Sequence, residues 1–536
     1  WDISNYCIHI SKNMIIFVIA MKNYLLAILS GLLLSFAWPV DGFTYLIFFS
    51  FVPLFFIQKD LNESNKKSRL RFFFFSYLAF FIFNIITTYW VCFASPFGSI
   101  AAFILNSLFM ALIMLFFYVS KQKLGARIGY LSLIVFWISF EYLHLNWDLS
   151  WPWLTLGNCF SETLFLINWY EYTGVLGGTF WILFVNILFY ELLISNNKIK
   201  SSFHFLLALV LPILLSLNIL KNKSIDIKDY LNVVVVQPNI DPYYEKFQLS
   251  YKDQLSEFIK LARTKIDSNT EILVGPETAL QESIWESKVD YTESVEAFKN
   301  LQEEFPKLNI LVGATTFKLF KDGEEKTSTA RQFRKEELWY DVYNSAIFIS
   351  DNQEVSIYHK TKLVPGAEKI PFPYLLNNFS ALSVDLGGVS GSLGSENSIE
   401  NFEVKDKKIL PLICYESIYG DINTGKYFDI ITIITNDGWW KNTAGYKQHF
   451  SYSKLRAIEQ KRAVVRCANT GISGFINPLG EAGEIAKWDE KKVIKSQVAI
   501  CNTVTFYNQF GDYLGRISTF ISSIFILMIF VKSKVK

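Results

Sequence analysis

Long apolar stretches alternate with short polar loops over the first 220 residues, and one more apolar stretch lies near the C-terminus. Most of them approach the roughly 20 residues that a membrane-spanning helix needs, while the first two are shorter. The pattern therefore predicts a helical membrane bundle of about eight spans, seven before the central segment and one after it. The predicted spans lie near 24–37, 43–57, 72–91, 100–120, 128–145, 174–194, 203–220 and 517–531.

The segment between the seventh and eighth predicted spans follows a different pattern. Short runs rich in β-branched residues alternate with amphipathic stretches, as in an α/β domain with a mixed sheet. The charged stretch 321–337 is predicted to be an insertion, and the Ser/Gly/Asn-rich stretch 377–398 a loop. The predicted strands are 232–236, 272–274, 310–312, 346–350, 355–358, 409–413, 430–435, 463–466, 474–476 and 493–499, and the predicted helices are 250–265, 295–304 and 449–462.

Basic residues are confined to alternate loops of the predicted bundle. The loops at 38–42, 93–98 and 146–173 contain no Lys or Arg. Because loops rich in Lys and Arg stay in the cytoplasm, both termini are predicted to be cytoplasmic and the central segment to lie on the opposite side. The basic residues that predict this orientation are Lys59, Lys66, Lys67, Arg69, Arg71, Lys121, Lys123, Arg127, Lys198, Lys200, Lys532, Lys534 and Lys536.

These patterns divide the chain into four predicted parts. Residues 21–220 form a seven-span transmembrane domain, residues 221–513 an extracytoplasmic globular domain, and residues 514–536 a last transmembrane helix with a cytoplasmic tail. Residues 1–20 begin with Trp, whereas Met21 directly precedes an apolar run. We therefore expect the first 20 residues to be an N-terminal extension.

The composition agrees with a membrane protein, since 51% of the residues are hydrophobic, 17% are aromatic and the mean hydropathy is +0.25. A net charge of +2 gives no reason to expect a nucleic-acid partner. The six cysteines show no CxxC pair or metal-ligand spacing, which argues against a metal site and a disulfide framework. Few ionisable residues lie within the predicted spans, which argues against a transporter.

The loop at 146–173 is rich in tryptophan and tyrosine, which favour the lipid–water interface. An aromatic belt at that interface is the preferred interpretation, and a binding site is the second. The residues concerned are Trp147, Trp151, Trp153, Trp169 and Tyr170.

Three predicted strands end in residues that can carry chemistry. Glu277 follows one strand after a Gly-Pro break, Lys360 follows the second, and Cys414 ends the apolar run of the third. Each has a structural alternative: a helix-capping carboxylate, a solvated lysine and a small core thiol. Together they supply a base for the thiol proton, an ammonium that stabilises an oxyanion with a backbone N–H, and a nucleophile. The sequence therefore predicts acyl transfer.

Glutamate, lysine and cysteine at successive strand ends, in this order, resemble the carbon–nitrogen hydrolase (nitrilase) superfamily. Such a domain after seven spans and before one more resembles the apolipoprotein N-acyltransferase family, and the resemblance extends from Met21 to Lys536. The motifs that carry it are Gly275-Pro276-Glu277, Tyr358-His359-Lys360, Leu363-Val364-Pro365, Cys414-Tyr415-Glu416, Val236-Gln237-Pro238-Asn239-Ile240, Tyr343-Asn344-Ser345, Thr435-Asn436-Asp437-Gly438-Trp439, Gln448-His449 and Arg466-Cys467-Ala468-Asn469-Thr470-Gly471.

The resemblance implies a four-layer α-β-β-α sandwich on the periplasmic face of the bacterial inner membrane, with no cofactor. By a ping-pong mechanism, Cys414 would take an acyl chain from a phospholipid such as phosphatidylethanolamine. It would pass the chain to the N-terminal amine of the diacylglyceryl-cysteine of an apolipoprotein. Glu277 would be the general base, Lys360 the oxyanion partner, and Glu368 a second glutamate that supports both. Supporting or substrate-binding roles fall to Tyr415, Glu416, Asn436 and Trp439, and the protein is expected to be a monomer.

The chain departs from the family pattern in loops that are expected to shape the acyl pocket. Pro365-Gly366-Ala367-Glu368 stands where the family has Pro-Phe-Gly-Glu. Asn436-Asp437-Gly438-Trp439-Trp440 stands where it has Asn-Asp-x-Trp-Phe, and the tryptophan after the Gln-x-Asn-Ile motif is replaced near Lys246-Phe247. These departures concern the lipid donor and the gating of the pocket rather than the three catalytic candidates.

Two other functions remain open from the sequence. The first is a membrane-tethered amidase of the same superfamily that hydrolyses a small amide. Such an enzyme must admit water to its thioester, whereas a transferase must exclude it. The second is a membrane scaffold whose enzyme domain has lost its activity. The presence of all three catalytic residue types argues against this scaffold.

Overall fold

The computed structural model describes residues 21–61, 66–222, 225–333, 338–372 and 392–534. The predicted N-terminal extension at 1–20 lies outside these residues. So do most of the predicted loop at 377–398 and the end of the predicted insertion at 321–337.

The first part of the chain forms a bundle of apolar helices. Within the described residues, six helices are long and apolar enough to cross a membrane, and they coincide with six predicted spans. The first two predicted spans contain only shorter helices, namely α1 (Met21–Phe36), a 3-10 helix at Thr44–Phe49 and α2 (Val52–Asp60), so the total of eight stays a prediction. The long helices are α3 (Lys66–Thr88), α5 (Pro96–Leu124), α6 (Ala126–His144), α7 (Tyr170–Ile194), α8 (Lys198–Asn222) and α13 (Tyr513–Lys534), and α4 is a single turn at Val91–Ala94.

Aromatic side chains fill the core of the bundle. Phe51 packs edge-on against Trp137 with ring centroids 5.0 Å apart, and Phe55 packs against Tyr190 at 5.6 Å. Both phenylalanines are fully buried, and such ring pairs stabilise a core beyond the area they bury. The Phe51 N–H lies at the start of α2 and needs a hydrogen-bond partner from outside the helix. The Asn186 side chain provides it, because its Oδ1 accepts from this N–H at 2.9 Å.

The central segment contains two sheets within the described residues. The central strands of both sheets run parallel, as in α/β folds. The larger sheet comprises β1 (Ile227–Gln237), β2 (Ile272–Val274), β3 (Leu280–Trp285), β4 (Asn309–Leu319), β5 (Arg331–Gln332), β6 (Trp339–Ile349), β7 (Val355–His359) and β14 (Lys492–Cys501), and the smaller comprises β8 (Phe402–Val404), β9 (Lys407–Ile413), β10 (Ile430–Thr435), β11 (Ala463–Ala468), β12 (Ser473–Ile476) and β13 (Ala482–Ala486).

The strand order places β2 and β7 in the larger sheet and β9 in the smaller sheet. The larger sheet has the order β14-β1-β2-β4-β6-β5, with β3 beside β4 and β7 beside β6. The smaller sheet has the order β13-β12-β11-β10-β9-β8. The helices of this segment are α9 (Tyr251–Arg263), α10 (Glu293–Glu304), α11 (Ala444–Gln460) and α12 (Phe506–Phe510).

Alternating side chains build the layers. In β1, Val233 and Val235 belong to the core between the two sheets, while Val234 and Val236 pack with residues of α9 and α10. On the far side of the smaller sheet lies α11. The order is helices, sheet, sheet and helix, and the predicted α-β-β-α sandwich is confirmed.

The helix α11 joins the sandwich to the membrane bundle. Phe450 and Ala457 face the sheets, whereas Tyr452, Leu455 and Ile458 pack in the core of the bundle. α11 is buried along nearly its whole length, with apolar residues on both sides and with buried polar residues such as His449 and Arg456 between them. The sandwich therefore lies directly on the bundle rather than being joined to it only by linkers.

All three loops that lack Lys and Arg contact the sandwich. Trp38 Nε1 donates to Tyr452 O–H oxygen at 3.0 Å, Tyr243 O–H donates to Phe93 O at 3.1 Å, and Tyr452 O–H donates to Trp153 O at 2.8 Å. These contacts place the sandwich on the side of the bundle where those loops lie.

The preferred interpretation of the loop at 146–173 as an aromatic belt is wrong for two of its tryptophans. Trp153 is buried against Trp440 and Tyr452, and Trp169 is buried beside Trp181. Trp153 is buried because the sandwich covers it, and Trp169 because it packs inside the bundle against Tyr170 and Trp181. The loop composition alone reveals neither contact.

Four strands were not predicted, and they share weak patterns. In β3 the sequence Leu-Gln-Glu-Ser-Ile-Trp leaves only two residues buried, and the edge strand β13 is largely exposed. β5 and β8 have two and three residues. Sequence patterns detect strands through buried apolar runs, so edge strands of this kind escape detection.

Candidate active site

Glu277, Lys360 and Cys414 each follow a strand, as predicted. Glu277 lies in the turn after β2, Lys360 directly follows β7, and Cys414 directly follows β9. The turn at Glu277 packs closely on Gly313 of β4. A Cβ atom there would lie 2.6 Å from Glu277 Cα and 2.7 Å from Pro276 O, so a glycine is needed at this position.

Lys360 lies between two carboxylates. Its Nζ is 2.8 Å from Glu368 Oε1 and 3.4 Å from Glu277 Oε1, and all three side chains are buried. Asn344 joins the carboxylates, because its Nδ2 donates to Glu277 Oε1 at 2.8 Å and to Glu368 Oε1 at 2.9 Å. We call Glu277, Asn344, Lys360 and Glu368 the thiol-side cluster.

Backbone groups hold both carboxylates of this cluster in place. Glu277 Oε2 accepts from the Asn436 N–H at 3.0 Å, and Glu368 Oε2 accepts from the Val364 N–H at 2.8 Å. Burial lowers the pKa of Lys360, but the carboxylates of Glu368 and Glu277 outweigh burial and raise this pKa above its usual value. Lys360 therefore keeps its positive charge.

Cys414 occupies a strained turn between β9 and a short 3-10 helix. Its φ is 51°, in the left-handed region that residues with a Cβ rarely adopt. Nucleophiles in enzymes often sit on such strand-to-helix turns, which expose the reactive atom. Glu416 stabilises the turn, since its Oε2 accepts from the Ile413 N–H at 2.7 Å.

Glu416 also connects this turn to the loop that carries Lys360. Its Oε1 accepts from Tyr358 O–H at 2.6 Å and from the Thr361 N–H at 2.7 Å. Burial raises the pKa of Glu416, although these donors oppose the shift. Glu416 thus fixes the position of the nucleophile candidate relative to the lysine.

The thiol of Cys414 interacts electrostatically with both partners. Burial raises its pKa above the usual value and the Glu277 carboxylate adds to the shift, while the Lys360 ammonium lowers it. The thiol is therefore protonated at rest, and it needs a base to become a nucleophile. Among the described residues, no direct hydrogen bond joins Cys414 Sγ to Glu277 or Lys360.

A second buried cluster lies behind the main chain of Cys414. His449 Nε2 is 3.1 Å from Cys414 O, and its Nδ1 is 2.9 Å from Asp437 Oδ1. Arg466 Nη2 donates to Asp437 Oδ2 at 2.7 Å. Burial and the Arg466 charge lower the pKa of His449. We call His449, Asp437 and Arg466 the backbone-side cluster.

The remaining predicted residues occupy different positions. Tyr415 is buried and its O–H donates to Ser150 O at 2.8 Å, in the loop after α6. Asn436 contacts Glu277 through its main chain. Trp439 packs against Tyr243 with ring centroids 5.4 Å apart, and its main-chain oxygen accepts from Tyr243 O–H.

Sequence reasoning assigned no role to Asn344 or to the backbone-side cluster. Both occur in motifs that carried the resemblance, Tyr343-Asn344-Ser345 and Gln448-His449. The polar residue inside the apolar strand β6 was the available signal, because a buried side-chain amide needs partners.

A cavity of about 430 Å³ borders the loop that carries Glu368. It lies between the first turns of α5, the end of α6 and the residues after Glu368. Its walls are mainly apolar and include Phe97, Leu105, Phe109, Trp151, Pro365 and Ile370.

Two family models match this chain. The model described as the apolipoprotein N-acyltransferase N-terminal domain matches residues 30–188, and the model described as carbon–nitrogen hydrolase matches residues 232–504. The second match covers half of the chain and contains all the residues of the thiol-side cluster together with Cys414.

Three curated relatives align along most of the chain, and each is described as an apolipoprotein N-acyltransferase. The protein from Chlorobaculum tepidum is 28% identical, over 96% of this chain and 97% of its own length. That from Treponema denticola is 25% identical, over 97% and 98%. That from Geobacter metallireducens is 25% identical, over 92% of each.

Proposed function

The chain belongs to the carbon–nitrogen hydrolase family, and from this premise we propose that it is a phospholipid–apolipoprotein N-acyltransferase. It is a multi-pass membrane protein that moves an acyl chain from a phospholipid to the N-terminal amine of a diacylated apolipoprotein. The relatives aligned over nearly the full length support this activity.

In the first half of the proposed reaction, Glu277 accepts the proton of Cys414 Sγ and the sulfur attacks the ester carbonyl of the phospholipid. Lys360 Nζ and a backbone N–H stabilise the oxyanion. The proton on Glu277 then passes to the oxygen of the departing lysophospholipid. Cys414 is left as an acyl thioester.

In the second half, the neutral amine of the acceptor attacks the thioester carbonyl. Glu277 accepts a proton from the amine as the carbon–nitrogen bond forms, and this proton goes to Cys414 Sγ as the carbon–sulfur bond breaks. The product is an amide, and the free thiol is restored. Glu368 keeps Lys360 in place through both halves.

The observation that carries this proposal is the buried Lys360 between Glu277 and Glu368, next to a cysteine on a strained turn. A structural ion pair would need one carboxylate, whereas Lys360 is held between two, and keeping charged groups buried is costly without a function. The apolar cavity beside Glu368 offers room for an acyl chain.

The proposed orientation follows from the basic loops. The sandwich contacts the three loops that lack Lys and Arg, so it belongs on the side away from the cytoplasm. We propose the periplasmic side of the inner membrane, cytoplasmic termini and the four parts 1–20, 21–220, 221–513 and 514–536. Phosphatidylethanolamine is the proposed donor, and the protein acts as a monomer.

The alternative, a membrane-tethered amidase, is not favoured. A soluble amidase needs no bundle, whereas here the α11 helix of the sandwich is packed into the bundle core. Both proposed substrates are lipid-anchored, and this packing brings the site to the membrane.

The test uses purified full-length protein in detergent with phosphatidylethanolamine, followed by peptide mass spectrometry. We expect an acyl adduct on Cys414 that disappears when a diacylated lipopeptide with a free amine is added, as the N-acylated product forms. Cys414→Ala should lose both signals while it still folds. The control Cys92→Ala, at an exposed position, should keep both.

Two results would contradict the proposal. Activity of Cys414→Ala near that of the wild type would reject the mechanism. Rapid release of ammonia from small amides, without any acyl adduct, would favour the amidase.

A further inference from the structure

Lys246 is a second buried lysine next to the proposed base, and the mechanism above gives it no role. It lies in the loop between β1 and α9 and is 6% exposed. The loop is anchored on both sides, because the Lys246 N–H donates to Asp241 O at 2.9 Å and Lys246 O accepts from Gln254 Nε2 at 2.8 Å. The side chain is therefore directed inward by a fixed backbone.

The Lys246 ammonium contacts the residue after the proposed base. Its Nζ donates to Thr278 Oγ1, and Thr278 has a φ of 46°, a strained left-handed conformation. A hydrogen bond to a charged donor helps to hold such a conformation. Lys246 therefore stabilises the turn on which Glu277 lies.

Lys246 differs from Lys360 in its partners. Within the described part of the chain, no carboxylate lies at ion-pair distance from Lys246 Nζ. The side chains around its small cavity are neutral, including Gln254, Thr278 and Asn469. Burial lowers the pKa of Lys246 to about 8, and the Glu277 carboxylate opposes this shift. An ammonium in this setting is costly to keep without a role.

We propose that Lys246 is a positioning residue, whose ammonium holds the turn at Glu277 and Thr278 and so keeps the Glu277 carboxylate in place. This inference rests on the proposed function, in which Glu277 takes the thiol proton. The attraction between the Lys246 ammonium and the Glu277 carboxylate adds to the hydrogen bond in holding this turn. Substrate contacts are not required of Lys246.

The sign of the pH effect follows from the charge of Lys246. Below its pKa the lysine is an ammonium and supports Glu277, and above it the neutral amine does not. The support is therefore present on the acidic side of about pH 8 and is lost as the pH rises through that value. Glu277 is the ionisable group whose charge acts on Lys246.

The test compares the kcat of wild type and Lys246→Met from about pH 6 to pH 10, with lipid donor and lipopeptide acceptor. Because the charged hydrogen bond to Thr278 Oγ1 holds the turn that carries the proposed base, and a small misplacement of a reacting group is costly, we expect a wild-type excess of about tenfold near pH 6.5. The excess should fall towards one above about pH 9. Titration of the acceptor amine affects both proteins equally and cancels in this ratio.

Lys246→Arg separates charge from shape, because arginine keeps its charge across this range. We expect its ratio to Lys246→Met to stay constant with pH. If Lys246→Met does not fold, Thr278→Val replaces it, since this variant removes the hydroxyl that binds Nζ. Thr278→Ser keeps the hydroxyl and serves as its control, and Lys260→Met, on the exposed face of α9, controls for loss of a lysine.

A wild-type excess that is absent or independent of pH would overturn the inference, because a purely structural role does not titrate. Failure of the proposed function looks different. In that case the wild type itself forms no acyl adduct on Cys414. There is then no transfer rate from which the ratio of wild type to variant could be calculated.

Discussion

The two buried clusters around Cys414 are both charged and both hydrogen-bonded, but they address different atoms of the cysteine. The thiol-side cluster acts on the sulfur through the charges of Glu277 and Lys360. The backbone-side cluster lies against the carbonyl oxygen of Cys414 through His449. The first acts most strongly on the protonation of the sulfur, while the second mainly fixes where the main chain lies, although the Asp437 charge also raises the pKa of the Cys414 thiol.

Their charge balance shows the same division. The backbone-side cluster pairs Asp437 with Arg466 one to one, as structural buried ion pairs do. The thiol-side cluster places one ammonium between two carboxylates, an imbalance that a purely structural site would avoid. Residues of the backbone-side cluster should therefore be needed mainly for stability, and residues of the thiol-side cluster mainly for turnover.

Glu277→Gln is expected to have the largest effect. The amide keeps the shape and can still accept a hydrogen bond from the Asn436 N–H, but it cannot take the thiol proton. A general base contributes about 10²–10⁴ in rate, so kcat should fall about a thousandfold with little change in thermal unfolding. Acyl transfer and the unfolding temperature in detergent are measured, with the surface variant Glu257→Gln as control. A strongly lowered unfolding temperature would place Glu277 with the structural residues instead.

Lys360→Arg is expected to have the second-largest effect. Arginine keeps the charge but is longer and planar, so it misplaces the oxyanion contact. Loss of one oxyanion donor costs about 10²–10³ in kcat, while alkylation of Cys414 by iodoacetamide should remain close to wild type because the charge is kept. Lys252→Arg, at an exposed ion pair, is the control. Near-normal turnover would show that Lys360 acts only through its charge.

His449→Leu is expected to have the smallest effect on turnover and the largest on stability. Removing a buried hydrogen-bond partner costs about 1–3 kcal/mol, and the resulting freedom of the Cys414 turn should reduce kcat only several-fold. Thermal unfolding and acyl transfer are measured together, with the exposed His204→Leu as control. A thousandfold loss of transfer at unchanged stability would assign His449 to the chemistry and remove the distinction between the clusters.

Particular residues show how far sequence reasoning reached. The positions of Glu277, Lys360 and Cys414 just after strands could be predicted because each follows a predicted strand, and the fold class followed from the change of pattern after residue 220. The sequence could not show which of the two carboxylates lies closer to Lys360. In the structure Glu368 is closer to Lys360 than Glu277 is, because the loop after Lys360 folds back towards the lysine.

The loop at 146–173 is the clearest failure of local reasoning. Its tryptophans fit a membrane interface by composition, yet Trp153 lies against Trp440 and Tyr452 of the sandwich. Whether an aromatic side chain meets lipid or protein depends on what covers it, and this partner is about 290 residues away in the chain.

The sequence by itself determined the elements of this protein, namely the apolar spans, the buried strands and the residues that follow them, and it predicts the sidedness of the loops. These depend on local periodicity and charge, which each segment carries alone. Only the tertiary structure decided which side chains meet. Contacts between distant segments surround Lys360 with two carboxylates, bury Lys246 beside Thr278 and pack α11 into the bundle. No local pattern encodes such contacts.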